Sequence, residues 1–184
     1  MYREYSSYII AILATIVRYY DYALFGLSAS VISKTFMPGA DDSHQMLLFF
    51  AVFSLAVVAR PLGSVLFGKI GDRVSRVASV KIATIIAAIS TTAIALIPGF
   101  NSWGWVSVVL LASCRMMFLM SLAGEIDAIK IFVAEKIGKK RRNFAIGTVS
   151  FSSQLGVILA SVMYHIAISI EELESAWRLN FVLG

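Results

Sequence analysis

The sequence predicts an all-α integral membrane protein: a helical bundle of five transmembrane spans followed by a truncated sixth. Three observations carry this. The 184-residue chain is 59% hydrophobic with a mean hydropathy of +0.82, against about 45–50% apolar content in soluble domains. Its apolar residues gather into stretches of about 20 or more, the length that crosses a hydrocarbon core of about 30 Å. Its Lys and Arg residues concentrate in alternate connections, the asymmetry that orients multi-pass proteins.

The first span is read over 8–32. Leu27-Ser28-Ala29-Ser30 is faintly like a signal-peptide cleavage site. A signal h-region, however, is about 7–15 apolar residues; this stretch is longer and carries Arg18 and Asp21, so it reads as an uncleaved span. The second span covers 45–69. The third covers 77–97 and is closed by Pro98-Gly99. The fourth starts at the Trp103/Trp105 pair and covers 105–133. The fifth covers 144–168, and 177–184 opens a partial sixth. Residues 1–184 thus form one transmembrane bundle. Short connections predict that consecutive helices pack as antiparallel neighbours. Gly63, Ser64 and Gly68 in the second span, and Gly147, Ser150 and Gly156 in the fifth, are small enough to allow close helix approach or simply to fill space.

Lys69, Arg73, Arg76 and Lys81 flank the second connection, and Lys136, Lys139, Lys140, Arg141 and Arg142 the fourth. The opposite connections hold Lys34 and Arg178 among Asp41, Asp42, Glu171, Glu172 and Glu174. The N-terminus, with Arg3, is therefore expected on the cytoplasmic side of a cell inner membrane. Because the basic residues sit in loops, the net charge of +5 does not describe a nucleic-acid surface. A lone Cys114 excludes an internal disulfide and a Cys-rich metal site, and His44 and His165 read as ordinary polar positions. With no nucleophile–base pair, phosphate-binding glycine loop or metal cluster, nothing points to an enzyme, a metal or a cofactor.

Several motifs occur in order along the chain. Gly68-Lys-Ile-Gly-Asp72-Arg73-Val-Ser-Arg76 joins the second and third spans. It resembles the signature loop of the major facilitator superfamily, G-x-x-x-D-R-x-G-R-R, with Ser75 in place of glycine and Val77 in place of the last basic residue. Arg60-Pro61-Leu62-Gly63 is similar to the R-P-L-G of that superfamily's metabolite:proton symporter branch, which includes proline/betaine-type transporters. Tyr19-Tyr20-Asp21-Tyr22 resembles its E-W-Y-D-F, except that the acidic position is Arg18. Arg115, Ser121, Gly124 and Glu125 match R-x-x-Q-G-x-S-x-G-G-E, with Phe118 and Leu119 replacing its Gln-Gly. Ala134-Glu135 with Arg141-Arg142, and Trp177-Arg178-Leu179-Asn180-Phe181, resemble the A-E…R-R-G loop and the W-R-I-P-F segment that follow. The resemblance implies the N-terminal half of a twelve-helix carrier, with substrate bound between two halves.

Charges inside the spans are the candidate working parts, because a charge at the bilayer centre costs roughly 2.5–3.5 kcal/mol on insertion scales. Arg18 and Asp21, three apart, share a helical face and can pair. Arg115 lies about 15 Å into its span. If the pair is internally neutral, Arg115 leaves an excess positive charge suited to a substrate carboxylate; alternatively the three form an ion cluster that ties helices one and four. Glu125 and Asp127, near the cytoplasmic end of the fourth span, are candidate proton carriers, or are solvated or paired with Lys130. Arg60 is close enough to the second span's end to snorkel to the interface. The resemblance makes Asp72 the acid that meets a helix N-terminus or an Arg of the other half, while Arg73 and Arg76 can simply hold anionic headgroups. The expectation is an incomplete or split secondary transporter, inactive alone, whose partners would be the bilayer, a separate C-terminal half, a small polar or carboxylate-bearing metabolite and a proton. The alternative is a non-transporting membrane remnant or partner subunit.

Overall fold

The computed structural model describes residues 2–39, 41–136, 142–169 and 176–183. They form nine helices: α1 (Tyr2–Leu27), α2 (Ala29–Phe36), α3 (Asp42–Val57), α4 (Ala59–Arg73), α5 (Arg76–Leu96), α6 (Phe100–Trp103), α7 (Trp105–Lys136), α8 (Arg142–Ser169) and α9 (Ala176–Leu183). Among the described residues, five helical stretches are long and apolar enough to cross a membrane: Tyr8–Leu27, Asp42–Arg73, Arg76–Leu96, Trp105–Ile131 and Arg142–Ser169. Large apolar side chains such as Leu55, Leu62, Leu96 and Val109 point outward, the arrangement expected where the surrounding solvent is hydrocarbon. Lys139, Lys140, Arg141, Glu171, Glu172 and Glu174 lie outside the described residues, as do the side chains of Glu125, Asp127 and Lys136.

Local chemistry sets the helix ends. Ser28 (φ −81°, ψ 8°) interrupts the expected first span. Its N–H still bonds the Leu24 carbonyl and its own carbonyl accepts from Ile32, both at 2.9 Å, so α1 and α2 continue one bent rod. The second span breaks at Val58, whose N–H reaches back three residues to the Leu55 carbonyl at 3.2 Å. Pro61, three residues on, has no N–H and its ring disturbs the preceding turn, which accounts for the interruption. Ser75, at the glycine position of the loop motif, is the N-cap of α5: its hydroxyl accepts from the Ala78 N–H at 3.0 Å. Ile97 is extended, as the residue before Pro98 must be, and ends α5. Gly104 turns α6 into α7 at φ 56°, where a side chain would be strained.

The consecutive third and fourth spans, α5 and α7, pack together as expected. The most extensive partner of the first span is instead the fifth, α1 on α8, and that of the second span's α4 is the fourth, α7. Glycine explains two of these pairs. A Cβ at Gly156 would be driven into the Ile16 carbonyl of α1, and one at Gly63 into the Met120 backbone of α7. Gly124 of α7 is pressed in the same way against the Phe67 side chain. Gly68 and Gly147, by contrast, have nothing within 4 Å, so the expectation of close approach fails at these two positions. Ser64 and Ser150 are likewise exposed.

The largest buried cluster lies toward the α1–α2 and α9 end, where Phe25, Phe36, Phe49, Trp177 and Phe181 are buried together, and smaller ones form around Val133 and Val149 and around Phe118 and Leu122. The Arg178 guanidinium donates to the Ala95 and Ile97 carbonyls at 2.6 and 2.9 Å, capping the C-terminal end of α5 from α9.

Candidate functional site

Arg18, Asp21 and Arg115 are 5%, 3% and 2% exposed, so all three charges are turned into the bundle. α1 presents Arg18 and Asp21, and α7 presents Arg115. One Asp21 carboxylate oxygen accepts from the Thr91 hydroxyl of α5 at 3.4 Å. Arg18 and Arg115 both lie within electrostatic range of that carboxylate.

Arg115 sits in an aromatic cage. Its guanidinium carbon is 4.1 Å from the Phe25 ring centroid, 4.8 Å from Phe118, and 5.5 Å from both Tyr22 and Phe53. It also donates to the Tyr22 carbonyl at 3.3 Å. Rings on α1, α3 and α7 thus surround one cation, and a desolvated contact of this kind is worth up to about 2 kcal/mol. Phe118, a departure from the family's Gln-Gly, is therefore part of the cage. The Arg60 guanidinium lies on the Tyr22 ring as well, 5.9 Å from its centroid. It is directed to the bundle through that ring, a different placement from the snorkelling expected of it.

A cavity of about 130 Å³ opens between α1, α7 and α8. Its polar lining is Thr15, Arg18 and Tyr19 from α1, Lys130 from α7, and Ser150, Ser153 and Gln154 from α8. No described lining residue is acidic, and Arg115 is not among them. The cation that reaches this cavity from the first span is Arg18, so the free positive charge assigned to Arg115 from sequence is instead enclosed by rings. Lys130 and Gln154 were not chosen as sites from the sequence. The signal that marks Arg18, a strongly polar side chain within an apolar stretch, also marks Gln154.

The loop motif stands apart from this cluster. Gly68, Asp72 and Arg73 are exposed on the last turns of α4, and Arg76 is half-buried at the start of α5. Ser79 ties the two helices, its buried hydroxyl donating to the Phe67 carbonyl at 2.8 Å. Pro61 is exposed, whereas Gly63 is buried against α7. Glu125 and Asp127 occupy α7, with side chains outside the described residues.

Residues 7–184 match the family described as sugar (and other) transporter. The chain belongs to that family. As a member of this major facilitator family, it is an integral membrane protein of the transporter class. It is 36% identical over 178 residues to the proline/betaine transporter of Salmonella typhimurium, covering 95% of this chain and 36% of that protein. The glycine betaine/proline/ectoine/pipecolic acid transporter OusA of Dickeya dadantii gives the same identity and coverage. The citrate-proton symporter of Salmonella typhi is 28% identical over 90% of this chain and 39% of its own length. The chain therefore spans somewhat more than a third of the relatives it matches. No solved structure matches it.

Proposed function

We propose that this chain forms the N-terminal half of a proton-coupled carrier of a small polar metabolite in the bacterial inner membrane, with its N-terminus cytoplasmic. The observation that carries this reading is the polar cavity between α1, α7 and α8, with Arg18 on its wall and buried Asp21 one turn further along α1. Ionisable groups held inside spans mark substrate or proton pathways. Relatives named for proline, betaine and citrate–proton transport support both the substrate class and the coupling.

In this reading Asp21 is the coupling acid, with Glu125 and Asp127 as further proton carriers. Arg18 meets the substrate, while caged Arg115 holds α1 to α7 and offsets the Asp21 charge. Gly63 and Pro61 shape the second span, and Arg60 rests on Tyr22. Asp72, exposed at the end of α4, is available to a helix N-terminus of a second half, and Arg73 and Arg76 to headgroups. Alternating access needs one half to rock against another around a central site. Residues 1–184 alone therefore do not transport.

The test is uptake of labelled proline, betaine and citrate in cells without their own osmolyte carriers. The chain is expressed alone or with the C-terminal half of a proline/betaine relative. Uptake only with the second half, abolished by a protonophore and by Asp21→Asn, is expected. Uptake by the chain alone would overturn the half-carrier reading. Membrane insertion without uptake in any combination would favour a non-transporting partner subunit.

A further inference from the structure

We infer that Thr91 of α5 is the positioning residue for the Asp21 carboxyl, a hydroxyl that serves the acid both when it is ionised and when it carries a proton. This rests on the reading of Asp21 as the coupling acid and brings the third span into that site.

A threonine within a helix commonly returns its hydroxyl proton to its own backbone. Thr15, Thr35 and Thr84 do so here, donating to the carbonyl four residues back at 2.8, 2.8 and 2.9 Å. Thr91 instead sends its hydroxyl across to α1, where it donates to one Asp21 carboxylate oxygen at 3.4 Å. Thr91 and Asp21 are 2% and 3% exposed, so water does not compete for either group. Among the described residues the other carboxylate oxygen, Oδ1, is buried without a hydrogen-bond partner. Arg18 on α1 and Arg115 on α7 act on the same carboxylate through their charge, and the group that faces it from α5 is Thr91. The directional contact is therefore the hydroxyl.

A hydroxyl can answer a change of protonation because it has one proton to give and two lone pairs to receive. An ionised carboxylate only accepts, so Thr91 donates to it. A protonated carboxyl has an O–H of its own, and Thr91 then accepts from that group while donating to the carbonyl of Ala87, four residues back. The exchange takes one side-chain rotation. Threonine in a helix divides between two χ1 wells because its oxygen can bond that carbonyl. The bond to Asp21 is long for a hydroxyl donor, so the rotation breaks no tight contact. Valine has the same branched shape and neither capacity.

Contacts from α9 fix the two partners relative to each other. Arg178 holds the Ala95 and Ile97 carbonyls of α5, beginning one turn beyond Thr91. Tyr20, the residue before Asp21, donates its hydroxyl to the Asn180 carbonyl at 3.3 Å. One short helix is thus tied to both α5 and α1 beside the Thr91–Asp21 bond. The hydroxyl and the carboxyl are thereby kept within reach of each other through a cycle of proton gain and loss.

The experiment is infrared difference spectroscopy of the purified full chain in phosphatidylcholine nanodiscs, taken across a pH titration. The Asp21 carboxylate and carboxyl bands are assigned by their absence in Asp21→Asn. Thr91→Val is expected to shift both bands and Thr91→Ser to restore them. Thr92→Val, at the exposed neighbour, is expected to leave them in place. Thr91→Ala takes the place of the valine variant if valine fails to fold by size-exclusion profile. Bands unmoved in the folded variant, moved equally by Thr92→Val, or not restored by serine would overturn the inference. A shift of the carboxylate band alone would overturn the role in the protonated state. Uptake with a second half, as in the test above, is expected to fall about fivefold in Thr91→Val, the weight of one hydrogen bond, and to survive in Thr91→Ser. Full uptake by Thr91→Val despite shifted bands would overturn the positioning role. The spectra need neither a second half nor a proton gradient. If the unaltered chain gives no uptake in any combination, the carrier reading fails and the bands alone decide. If uptake is seen and the bands stay put, the carrier reading stands and Thr91 has no part in it.

Discussion

The Arg115 guanidinium carbon lies 4.1 Å from the centre of the Phe25 ring, so a cation on α7 is held by the face of an aromatic side chain on α1. The ring is 2% exposed and stacks on Phe49 at 5.2 Å and Phe53 at 5.7 Å. Phe25→Leu leaves the cation buried with a poorer neighbour. We expect a loss of about 1–2 kcal/mol, with a coupling of about 1 kcal/mol in a double-mutant cycle with Arg115→Met. Chemical unfolding in detergent micelles measures both. Additive single and double variants would show that the ring contact contributes nothing.

Glycines on one helix should divide by face. Gly63→Ala and Gly156→Ala force a methyl group against the backbone of a neighbouring helix, and overpacking of this kind costs about 1–3 kcal/mol. Gly68→Ala and Gly147→Ala meet open space and should be neutral or stabilising by up to about 1 kcal/mol through helix propensity. Thermal unfolding midpoints of the four variants should separate into two groups. A midpoint for Gly63→Ala equal to that of Gly68→Ala contradicts the packing described.

Orientation is testable by chemistry at the loops. In a Cys114→Ala background, an impermeant maleimide added to intact cells should label Asp41→Cys and Glu172→Cys. It should reach Asp72→Cys and Lys140→Cys only after permeabilisation. Labelling of position 140 in intact cells would reverse the topology.

Arg178 caps a helix it does not belong to, bonding the Ala95 and Ile97 carbonyls. Hydrogen bonds from charged donors contribute about 1.5–3 kcal/mol. Arg178→Gln should lower stability by about that amount and speed amide exchange over residues 93–100, with exchange in the middle of α8 unchanged. Equal acceleration throughout would indicate global rather than local loosening.

The spans were legible because hydrocarbon imposes long apolar runs, and the buried charges because lipid offers them no partner. What pairs with those charges was not legible. The rings around Arg115 come from positions 22, 25, 53 and 118, an assembly fixed only when three helices meet. The glycines show the same limit on one helix. Gly63 and Gly68 differ by five residues, or about 140° of rotation, and Gly147 and Gly156 by nine, or about 180°. Small size in sequence could not tell which face meets a neighbour. Ser75 looked like a departure from a motif, yet its hydroxyl caps α5. The cavity escaped detection because Arg18, Lys130 and Gln154 come from three separate spans.

The break at Val58 has a mechanical consequence. Pro61 cannot donate to the Val57 carbonyl, so the rod formed by α3 and α4 lacks a rung at that level. A missing rung lowers the local bending stiffness, so the joint at Val58 is the softest point along this span. α4 is clamped to α7 through Gly63, whereas α3 is attached mainly to α2 and α7. Flexure at this joint would swing α3, with Phe53 against Arg115, while α4 and its Asp72 loop stay fixed to the fourth span.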